Sequence, residues 1–509
     1  MNPTSIKKRN LSGTTMVVFG ASGDLTSRKI IPALASLAEQ NQLPSEFSLV
    51  GVARSNYSEQ EFRNLVLESA ANSEAMEGII DQVHYLKGDY NQLSTYQALS
   101  KLLESIEQYR STGTSRLFYL ATVPSLFGTI SSLLGESGLS SNPPVGYSRI
   151  IIEKPFGDDV QSAETLNRDM HTSFDEEQIY RIDHYLGKET VQNLLALRFS
   201  NAIFEPIWNR NYVNNVQITV AEQLGIGHRG TFYEHAGALK DIVQNHMMQI
   251  LSLVLMEAPA TMDPIAIQNE KVKVLSSIEI PKVDEVCNRV VRGQYHAGVI
   301  NSDEVRGYRE EKDVDPNSGT ETFVAMRLAV DNWRWAGIPI FIRTGKRMPK
   351  RETQVVMEFN RAPHLPFVGN SARQLGPNRL ILKIQPEEEI KLVFGAKVPG
   401  QEYNIRSVAM DFSYSETFRE ISWDAYERLI LDAMIGDRTL FLRSDEVIKA
   451  WEIVEPIQKA FSDPGFPLYP YAAGTYGPKE SNKLLQQSGH YWHNSLARLT
   501  RKNLDIDQG

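Results

Sequence analysis

The sequence predicts a doubly wound parallel α/β domain followed by a larger α+β domain whose sheet is mostly antiparallel. Six apolar runs alternate with amphipathic stretches between residues 14 and 183. Continuously apolar strands are typical of a sheet that helices cover on both faces. After residue 184 the strand-like runs follow one another closely, which is typical of antiparallel pairing. We therefore predict two domains, over residues 1–183 and 184–509.

The first domain is defined by its apolar runs and the helical stretches between them. The runs lie at 15–20, 47–54, 83–89, 116–122, 149–157 and 179–183. The stretches 28–40, 61–70 and 96–108 have the apolar spacing of amphipathic helices. This strand–helix repetition predicts a Rossmann-like arrangement of parallel strands and crossover helices.

The second domain is defined by closely spaced strand-like runs. These runs lie at 214–223, 322–330, 338–344, 353–360, 379–386 and 389–396. Helical stretches at 235–256, 423–436 and 445–457 are expected to pack on the resulting sheet.

Composition excludes several classes of function. The net charge of −9 lacks the basic excess that general binding to nucleic acid or anionic membranes requires. The only cysteine, Cys287, cannot form an intramolecular disulfide. No apolar run is long enough for a membrane span, and the first 15 residues lack the apolar core of a signal peptide. We expect a cytoplasmic protein with neither a nucleic-acid nor a membrane partner.

A glycine-bearing turn follows the first apolar run. The run ends in Gly20, Ala21, Ser22, Gly23, Asp24 and Leu25, and a helix is predicted to follow. Glycine permits close backbone approach, and a helix N-terminus offers N–H groups and partial positive charge to a pyrophosphate. The motif is shorter than the full glycine fingerprint, and a plain turn before a helix would also explain it.

The second apolar run ends at a cation. Arg54 stands where NAD-binding proteins place a carboxylate against the ribose 2′-hydroxyl. A guanidinium instead suits a 2′-phosphate through paired, charge-assisted hydrogen bonds. Arg54 therefore favours NADP, with weaker use of NAD, although a solvated surface arginine would also explain it.

Lys154 lies in the stretch 153–157, directly after the fifth apolar run. The carboxyl ends of parallel strands form the rim at which open α/β sheets hold ligands. A lysine at this rim can reach both a cofactor and a substrate oxygen, whereas Pro155 is equally consistent with a simple turn.

Ionisable side chains are concentrated after the sixth run and on a later helix. The nine residues 181–189 contain three basic or potentially basic groups, two carboxylates and a phenol. His246 lies on the apolar stripe of a predicted helix, where a buried structural histidine would be unremarkable in itself. However, Asp241 and Asn245 make that part of the helix unusually polar. A histidine oriented by a carboxylate is a natural general base.

Four stretches together resemble the glucose-6-phosphate dehydrogenase family of the bacterial type. They are 20–34, 153–157, 181–189 and 237–246, in that family's order and spacing, with support from 333–348. The stretch 181–189 is nearly diagnostic alone, whereas the glycine turn is not. The resemblance implies oxidation of D-glucose 6-phosphate at C1 to 6-phospho-D-glucono-1,5-lactone with NADP. This reaction is the first step of the oxidative pentose phosphate pathway.

The resemblance also implies roles for individual residues. His246 is implied to be the general base, and Asp183 the carboxylate that pairs with it. The implied ligands of the 6-phosphate are His184, Tyr185, Lys188 and Lys346. Further sugar contacts are implied for Lys154, Glu222, Asp241 and Arg351. The implied nucleotide contacts are Gly20, Ser22, Gly23, Asp24, Leu25, Arg54 and Lys154.

The sequence also bears on metal binding, on self-association and on alternative functions. Hydride transfer to a nicotinamide needs no metal, and the sequence contains no HExxH or CxxC pattern. We therefore expect no metal cofactor. The large antiparallel sheet of the second domain resembles the family's dimerisation surface, which implies a homodimer or homotetramer. A dehydrogenase for a related sugar and a non-catalytic sensor of NADP or a sugar phosphate remain alternatives.

Overall fold

A computed structural model describes residues 12–108, 114–365, 375–400, 404–418 and 423–494. Contacts between residues group the chain into two compact units, each built from three separate segments. The first unit comprises Met1–Asn201, Gln244–Ser276 and Glu420–Glu455. The second comprises Ala202–Val243, Ser277–Arg419 and Pro456–Gly509. The predicted domain boundary after residue 183 stays a prediction.

The described strands supply two large sheets and one small hairpin. In chain order they are β1 Thr14–Phe19, β2 Phe47–Ala53, β3 Val83–Lys87, β4 Ser115–Leu120, β5 Ser148–Ile152, β6 Ile179–Ile182, β7 Val213–Ala221, β8 Val290–His296, β9 Gly298–Ile300, β10 Asp303–Val305, β11 Phe323–Leu328, β12 Ile340–Gly345, β13 Glu352–Phe359, β14 Arg379–Gln385, β15 Glu389–Lys397, β16 Ile405–Ser413, β17 Phe441–Leu442 and β18 Leu468–Ala472.

The described helices include two π-helical stretches. The α-helices are Ile31–Glu39, Glu59–Ser69, Glu74–Glu77, Leu93–Glu107, Phe127–Glu136, Val160–His171, Glu189–Phe199, Gly230–Ala238, Met248–Leu255, Pro264–Ser276, Val286–Arg289, Tyr414–Phe418, Ala425–Ile435, Ser444–Phe461 and Glu480–Gln486. The π-helices are Thr26–Ile30 and Leu239–Met247. The short 3₁₀ turns are Ile80–Gln82, Pro124–Leu126, Glu176–Gln178, Glu205–Ile207, Val283–Glu285 and Tyr308–Glu310.

The first unit contains a parallel sheet with β1 near its centre. In the described part of this unit the strand order is β17-β6-β5-β4-β1-β2-β3. All neighbours are parallel except β17, which runs antiparallel to β6. Every residue of β1 and β2 is buried, as a sheet covered on both faces requires. The predicted doubly wound arrangement is therefore confirmed.

The second unit contains a mostly antiparallel sheet. Among the described strands the order is β16-β15-β14-β13-β7-β12-β11-β8-β18, with parallel pairing at β7–β12 and β8–β18. All six predicted runs of this domain form strands, and the predicted α+β class is confirmed. Sequence reasoning missed β8, β16 and β18. An arginine and Gly293 interrupt the apolar pattern of β8, and β16 is exposed at most of its positions.

The expected packing of the two later helices on the second sheet is wrong. Most of the stretch predicted as a helix at 445–457 belongs to the first unit. The helix Ala425–Ile435 was expected on the second sheet, but it belongs to the first unit and packs against the helix Ile31–Glu39. Arg149 explains part of this preference, because its Nη1 donates to the carbonyl oxygens of Ala433 and Met434 at 2.7 and 2.8 Å. These carbonyls lie in the last turn of the helix and lack partners within it.

No helix in the described part of the chain combines the length and the apolar character that a membrane span requires.

Candidate active site

The turn after β1 has no room for a side chain at its first position. Gly20 has φ of +89°, and a Cβ there would lie 2.3 Å from the carbonyl oxygen of Ala121. The N–H of Gly23 donates to Gly20 O at 2.9 Å, and the hydroxyl of Thr26 donates to the same oxygen at 3.1 Å. β1 lies between β2 and β4, where the strand order reverses, the usual location of a dinucleotide.

The loop after β2 contacts this turn. The Ser55 hydroxyl donates to Ser22 Oγ at 2.8 Å. Arg54 is exposed, and its guanidinium carbon lies 5.9 Å from the centre of the Tyr90 ring. Asp24 pairs instead with Arg28 at 2.7 Å on the surface.

These features fit a nicotinamide dinucleotide. The space that a Cβ would need at Gly20 is occupied by a carbonyl, so only glycine fits at the first position of the turn. Helical structure begins directly after the turn, with Leu25 at its start, and places N–H groups there. Arg54 adds a solvent-facing cation at the end of the adjacent strand.

Asp183 and His246 form a buried pair at the end of β6. His246 Nδ1 lies 2.5 Å from Asp183 Oδ1, and each side chain is only 1 % exposed. The same Oδ1 accepts the backbone N–H of Tyr185 at 2.9 Å. Burial would raise the pKa of Asp183, but its electrostatic interaction and hydrogen bond with His246 outweigh burial, so that pKa lies below its ordinary value. Asp183 is therefore ionised at neutral pH and holds a proton on Nδ1.

The local backbone structure, in addition to Asp183, positions His246. His246 lies on the π-helix Leu239–Met247, and wide turns of this kind occur frequently at functional sites. The backbone N–H of His246 donates to Asn245 Oδ1 at 2.6 Å. Sequence reasoning noted Asn245 only as a polar neighbour and did not predict this contact.

Aromatic rings surround the imidazole. The Tyr185 ring stacks on His246 with 4.2 Å between centroids and 28° between planes. Lys188 Nζ lies 3.9 Å from the centre of the Tyr185 ring. The His184 ring meets His246 edge-on at 4.6 Å. Burial lowers the pKa of His184 well below its ordinary value, so His184 is neutral and offers one N–H.

Lys154 reaches the second nitrogen of the same imidazole. Its Nζ lies 2.9 Å from His246 Nε2. The Lys154–Pro155 bond is cis. In the first unit the structure thus brings together five predicted site residues, namely Lys154, Asp183, His184, Tyr185 and His246. Lys188, a sixth, contacts this group through the Tyr185 ring.

Glu153 is a buried carboxyl that sequence reasoning passed over. Its Oε1 accepts the Tyr119 hydroxyl at 2.5 Å, and Tyr426 donates a second hydrogen bond to the carboxyl. Burial raises the pKa of Glu153 despite these donors and the nearby charge of Lys154. The only sequence signal was a carboxylate next to a rim lysine, because the tyrosines are far away along the chain.

In the second unit, Lys346 lies next to Glu222 and Asp241, two residues that are predicted to contact the sugar. Its Nζ pairs with Glu222 Oε2 and lies 3.7 Å from Asp241 Oδ2. Lys346 and Asp241 are buried, whereas the Glu222 side chain is 31 % exposed. Arg351 is exposed and lies directly before β13. This cluster combines one cation with two acceptors, which suits the hydroxyls of a polar ligand.

Glu321 organises the start of the π-helix within the second unit. Its Oε1 accepts the N–H of Leu239 at 3.0 Å, and its carbonyl accepts the N–H of Ala238 at 3.0 Å. Gly237, just before, has φ of +58°, and a Cβ there would lie 2.2 Å from Glu321 Oε1. A glycine inside a helical pattern was the one signal in the sequence that pointed to this junction.

The ligand atoms of Asp183, His184 and His246 lie within 4.8 Å of one another, a spacing that a metal ion could bridge. However, Asp183 Oδ1 already accepts two N–H groups, which favours a hydrogen-bonding role for this group. The expectation of a reaction without a metal stays a prediction.

A parallel sheet with a glycine turn at its strand-order switch, and a buried carboxylate–imidazole pair at a strand end, define the chain as a dinucleotide-binding oxidoreductase. Two family models match it: "Glucose-6-phosphate dehydrogenase, NAD binding domain" over residues 17–193 and "Glucose-6-phosphate dehydrogenase, C-terminal domain" over residues 195–493. The chain belongs to the glucose-6-phosphate dehydrogenase family. The resemblance inferred from the sequence is thereby confirmed.

Relatives match the chain over nearly all of its length. The "Glucose-6-phosphate 1-dehydrogenase" of Aggregatibacter actinomycetemcomitans is 44% identical over 493 residues, covering 96% of this chain and 98% of that protein. The protein of the same name from Bacillus subtilis (strain 168) is 42% identical, covering 94% and 98%. A solved structure titled "Glucose-6-phosphate dehydrogenase in complex with its substrate glucose-6-phosphate" is 33% identical, covers 95% and 99%, and has a TM-score of 0.87.

Proposed function

We propose that this protein oxidises D-glucose 6-phosphate at C1 to 6-phospho-D-glucono-1,5-lactone, with hydride transfer to NADP. The observation that carries the proposal is the buried Asp183–His246 pair, with Lys154 on the opposite nitrogen, at the rim of the parallel sheet. Membership of the family supports the choice of sugar, because a solved relative is described in complex with glucose 6-phosphate.

His246 is the proposed general base. Asp183 holds the Nδ1 proton, so Nε2 is the nitrogen that takes the proton of the C1 hydroxyl. As the O–H bond breaks, its electron pair forms the carbonyl of the lactone and the C1 hydrogen leaves as hydride. When bound, a nicotinamide supplies the hydride acceptor. Asp183 stabilises the imidazolium that forms, and such base catalysis contributes roughly 10²–10⁴-fold in rate.

The 6-phosphate is proposed to bind the groups implied by the resemblance. A dianion needs several donors, and the neutral state of His184 lets it donate a single N–H without adding charge. The positive charge must then come from lysines, which is the role proposed for Lys188 and Lys346. Sugar contacts by Lys154, Glu222, Asp241 and Arg351 stay predictions.

The preference for NADP over NAD is proposed on the position of Arg54. This cation follows β2 and is exposed beside Ser55, whose hydroxyl contacts the glycine turn. A bidentate guanidinium is suited to the phosphate that distinguishes NADP from NAD. A place in the oxidative pentose phosphate pathway, a homodimer or homotetramer, and a cytoplasmic location also stay predictions.

A spectrophotometric assay tests the function directly. Purified protein with NADP is expected to give a rise in absorbance at 340 nm with glucose 6-phosphate and a far smaller one with glucose. A faster rise with another sugar would reassign the substrate, and no rise with any hexose phosphate would contradict the proposal.

The role of His246 is tested by the His246→Ala variant. We expect turnover to fall by at least about 10²-fold, because the proton acceptor is lost, while glucose 6-phosphate still binds in calorimetry. His296→Ala, at an exposed position of β8, is the matched control and should retain wild-type turnover. Lost binding combined with a normal residual rate would contradict the role assigned to His246.

A further inference from the structure

The nitrogen that must accept the substrate proton is already in contact with a cation. Lys154 Nζ lies 2.9 Å from His246 Nε2, while Nδ1 faces Asp183 at 2.5 Å. A carboxylate only accepts hydrogen bonds and an ammonium only donates them. The two contacts together therefore define a neutral imidazole with its proton on Nδ1 and its lone pair directed at Lys154.

A neutral imidazole has one lone pair, so Nε2 cannot serve Lys154 and a sugar hydroxyl at once. The ring itself is held in place, because His246 is 1 % exposed, stacks on Tyr185 and is bonded to Asp183. Lys154 has a flexible four-carbon stem, and its ammonium is a compact charge with freely rotating donors. The group that can move is therefore the lysine.

We propose that Lys154 caps His246 in the substrate-free protein, and that the C1 hydroxyl of the sugar displaces the ammonium from Nε2 on binding. This inference rests on the proposed function. Lys154 is a positioning residue here: it keeps the base neutral and in the correct tautomer until the sugar arrives. Once displaced, the ammonium is free to contact a sugar oxygen, the second role expected of it from the sequence.

Several charged groups act on the imidazole, and their sum decides its proton affinity. The ionisable groups that the structure shows around His246 are Asp183, His184 and Tyr185 from the end of β6 and the following turn, and Lys154 from the stretch after β5. Glu153 and Lys188 are next to these groups. Asp183 favours the imidazolium, whereas the Lys154 cation on Nε2 disfavours it and sterically blocks the incoming proton.

Nitrogen-15 spectroscopy of the histidine rings tests the cap. The chain has ten histidines, so the spectrum of histidine-labelled protein is simple, and His246→Gln identifies the signal. In Lys154→Met, which removes the donor but keeps the stem, the Nε2 resonance should move towards that of an unbonded lone pair. The ring should become imidazolium at a higher pH than in the wild-type protein, because the neighbouring cation is gone. Lys154→Arg should restore both wild-type values.

Lys188→Met is the matched control, because the Lys188 ammonium lies over the Tyr185 ring, 3.9 Å from its centre. It should leave the Nε2 resonance of His246 in place. An unchanged Nε2 resonance in Lys154→Met, or an equal change in Lys188→Met, would overturn the cap.

The displacement step is tested with two sugars in the absence of nucleotide. Glucose 6-phosphate should change the Nε2 resonance of the wild-type protein, whereas 1,5-anhydroglucitol 6-phosphate, which lacks the C1 hydroxyl, should bind and leave it unchanged. Identical signals with the two sugars would overturn displacement. The substrate-free spectra do not depend on turnover, so a wild-type protein that fails to oxidise glucose 6-phosphate would contradict the proposed function alone.

Discussion

Arg54 is the residue on which the choice between the two nicotinamide dinucleotides is expected to depend. Removal of its guanidinium in Arg54→Ala deletes a charge-assisted contact with the 2′-phosphate, which NAD lacks. We expect the KM for NADP to rise about 10- to 100-fold. The KM for NAD is the internal control and should change little. Equal changes for both nucleotides in steady-state assays would show that Arg54 is an ordinary surface arginine.

Asp183 links the stability of the protein to acid pH. Its folded-state pKa lies below the ordinary value of 3.8, so its contact with His246 stabilises the fold above that value. The stabilisation is lost as the pH falls through the folded-state pKa. The difference in free energy of unfolding between wild type and Asp183→Asn should therefore be present at pH 5 and shrink below about pH 4. Urea unfolding measures it, and a difference that grows with acidification would contradict an ionised Asp183.

The contacts of single residues were only partly predictable. The sequence placed Asp183 at a strand end and His246 on a helix, but they are 63 positions apart, and only the family resemblance paired them. Lys154 was predicted at the rim from the end of the fifth strand. Its contact with Nε2 was not predicted, because it depends on the conformation of a flexible side chain, which residue spacing does not determine.

At the scale of elements, the junction before the π-helix depends on a glycine. Gly237→Ala places a Cβ 2.2 Å from Glu321 Oε1 and imposes φ of +58° on alanine. Gly227 has nearly the same φ, +59°, but open space around a built Cβ, so Gly227→Ala isolates the backbone strain. We expect Gly237→Ala to lower the free energy of unfolding by about 1–3 kcal/mol more than Gly227→Ala in urea. Equal losses in the free energy of unfolding would show that the Glu321 side chain moves aside without an energetic cost.

Elements with a regular spacing of apolar residues were predicted well, and irregular elements were not. The six strands of the first unit that alternate with helices were all found within a few residues of their predicted limits. The predicted helix 235–256 is instead two α-helices separated by a π-helix. An apolar stripe reports which side of a helix is buried, but a local widening of the turn changes that stripe too little to be seen in sequence.

At the scale of the whole molecule, the edge of the second sheet is the expected site of self-association. β16 is the last strand in the sheet order, and Met410 on it is 62% exposed. If copies of the chain associate through this sheet, Met410→Lys should shift the mass in light scattering from dimer or tetramer towards monomer, because a charge would be buried. Met262→Lys, at a methionine that is 56% exposed in the first unit, should leave the mass unchanged. A monomeric wild-type protein would contradict the expected assembly.

The grouping of segments into compact units was the least predictable feature at this scale. Sequence order suggested one boundary, whereas the first unit takes in residues 244–276 and 420–455 as well. Two contacts explain this grouping: the Arg149 side chain donates to backbone carbonyls of the later segment, and β17 pairs with β6. Contacts to backbone carbonyls and strand edges leave little trace in side-chain patterns.

The late addition of β17 has a consequence for biosynthesis. The indole N–H of Trp451 donates to the carbonyl of Phe156, a residue translated 295 positions earlier. At about 5–20 residues per second, a ribosome needs roughly 15–60 s to span that interval. Throughout this time β17 has not yet paired with β6, and Trp451 has not yet donated to the carbonyl of Phe156. A nascent chain of this protein therefore presents an unpaired strand edge, which is a template for aggregation, until the closing segment has been translated.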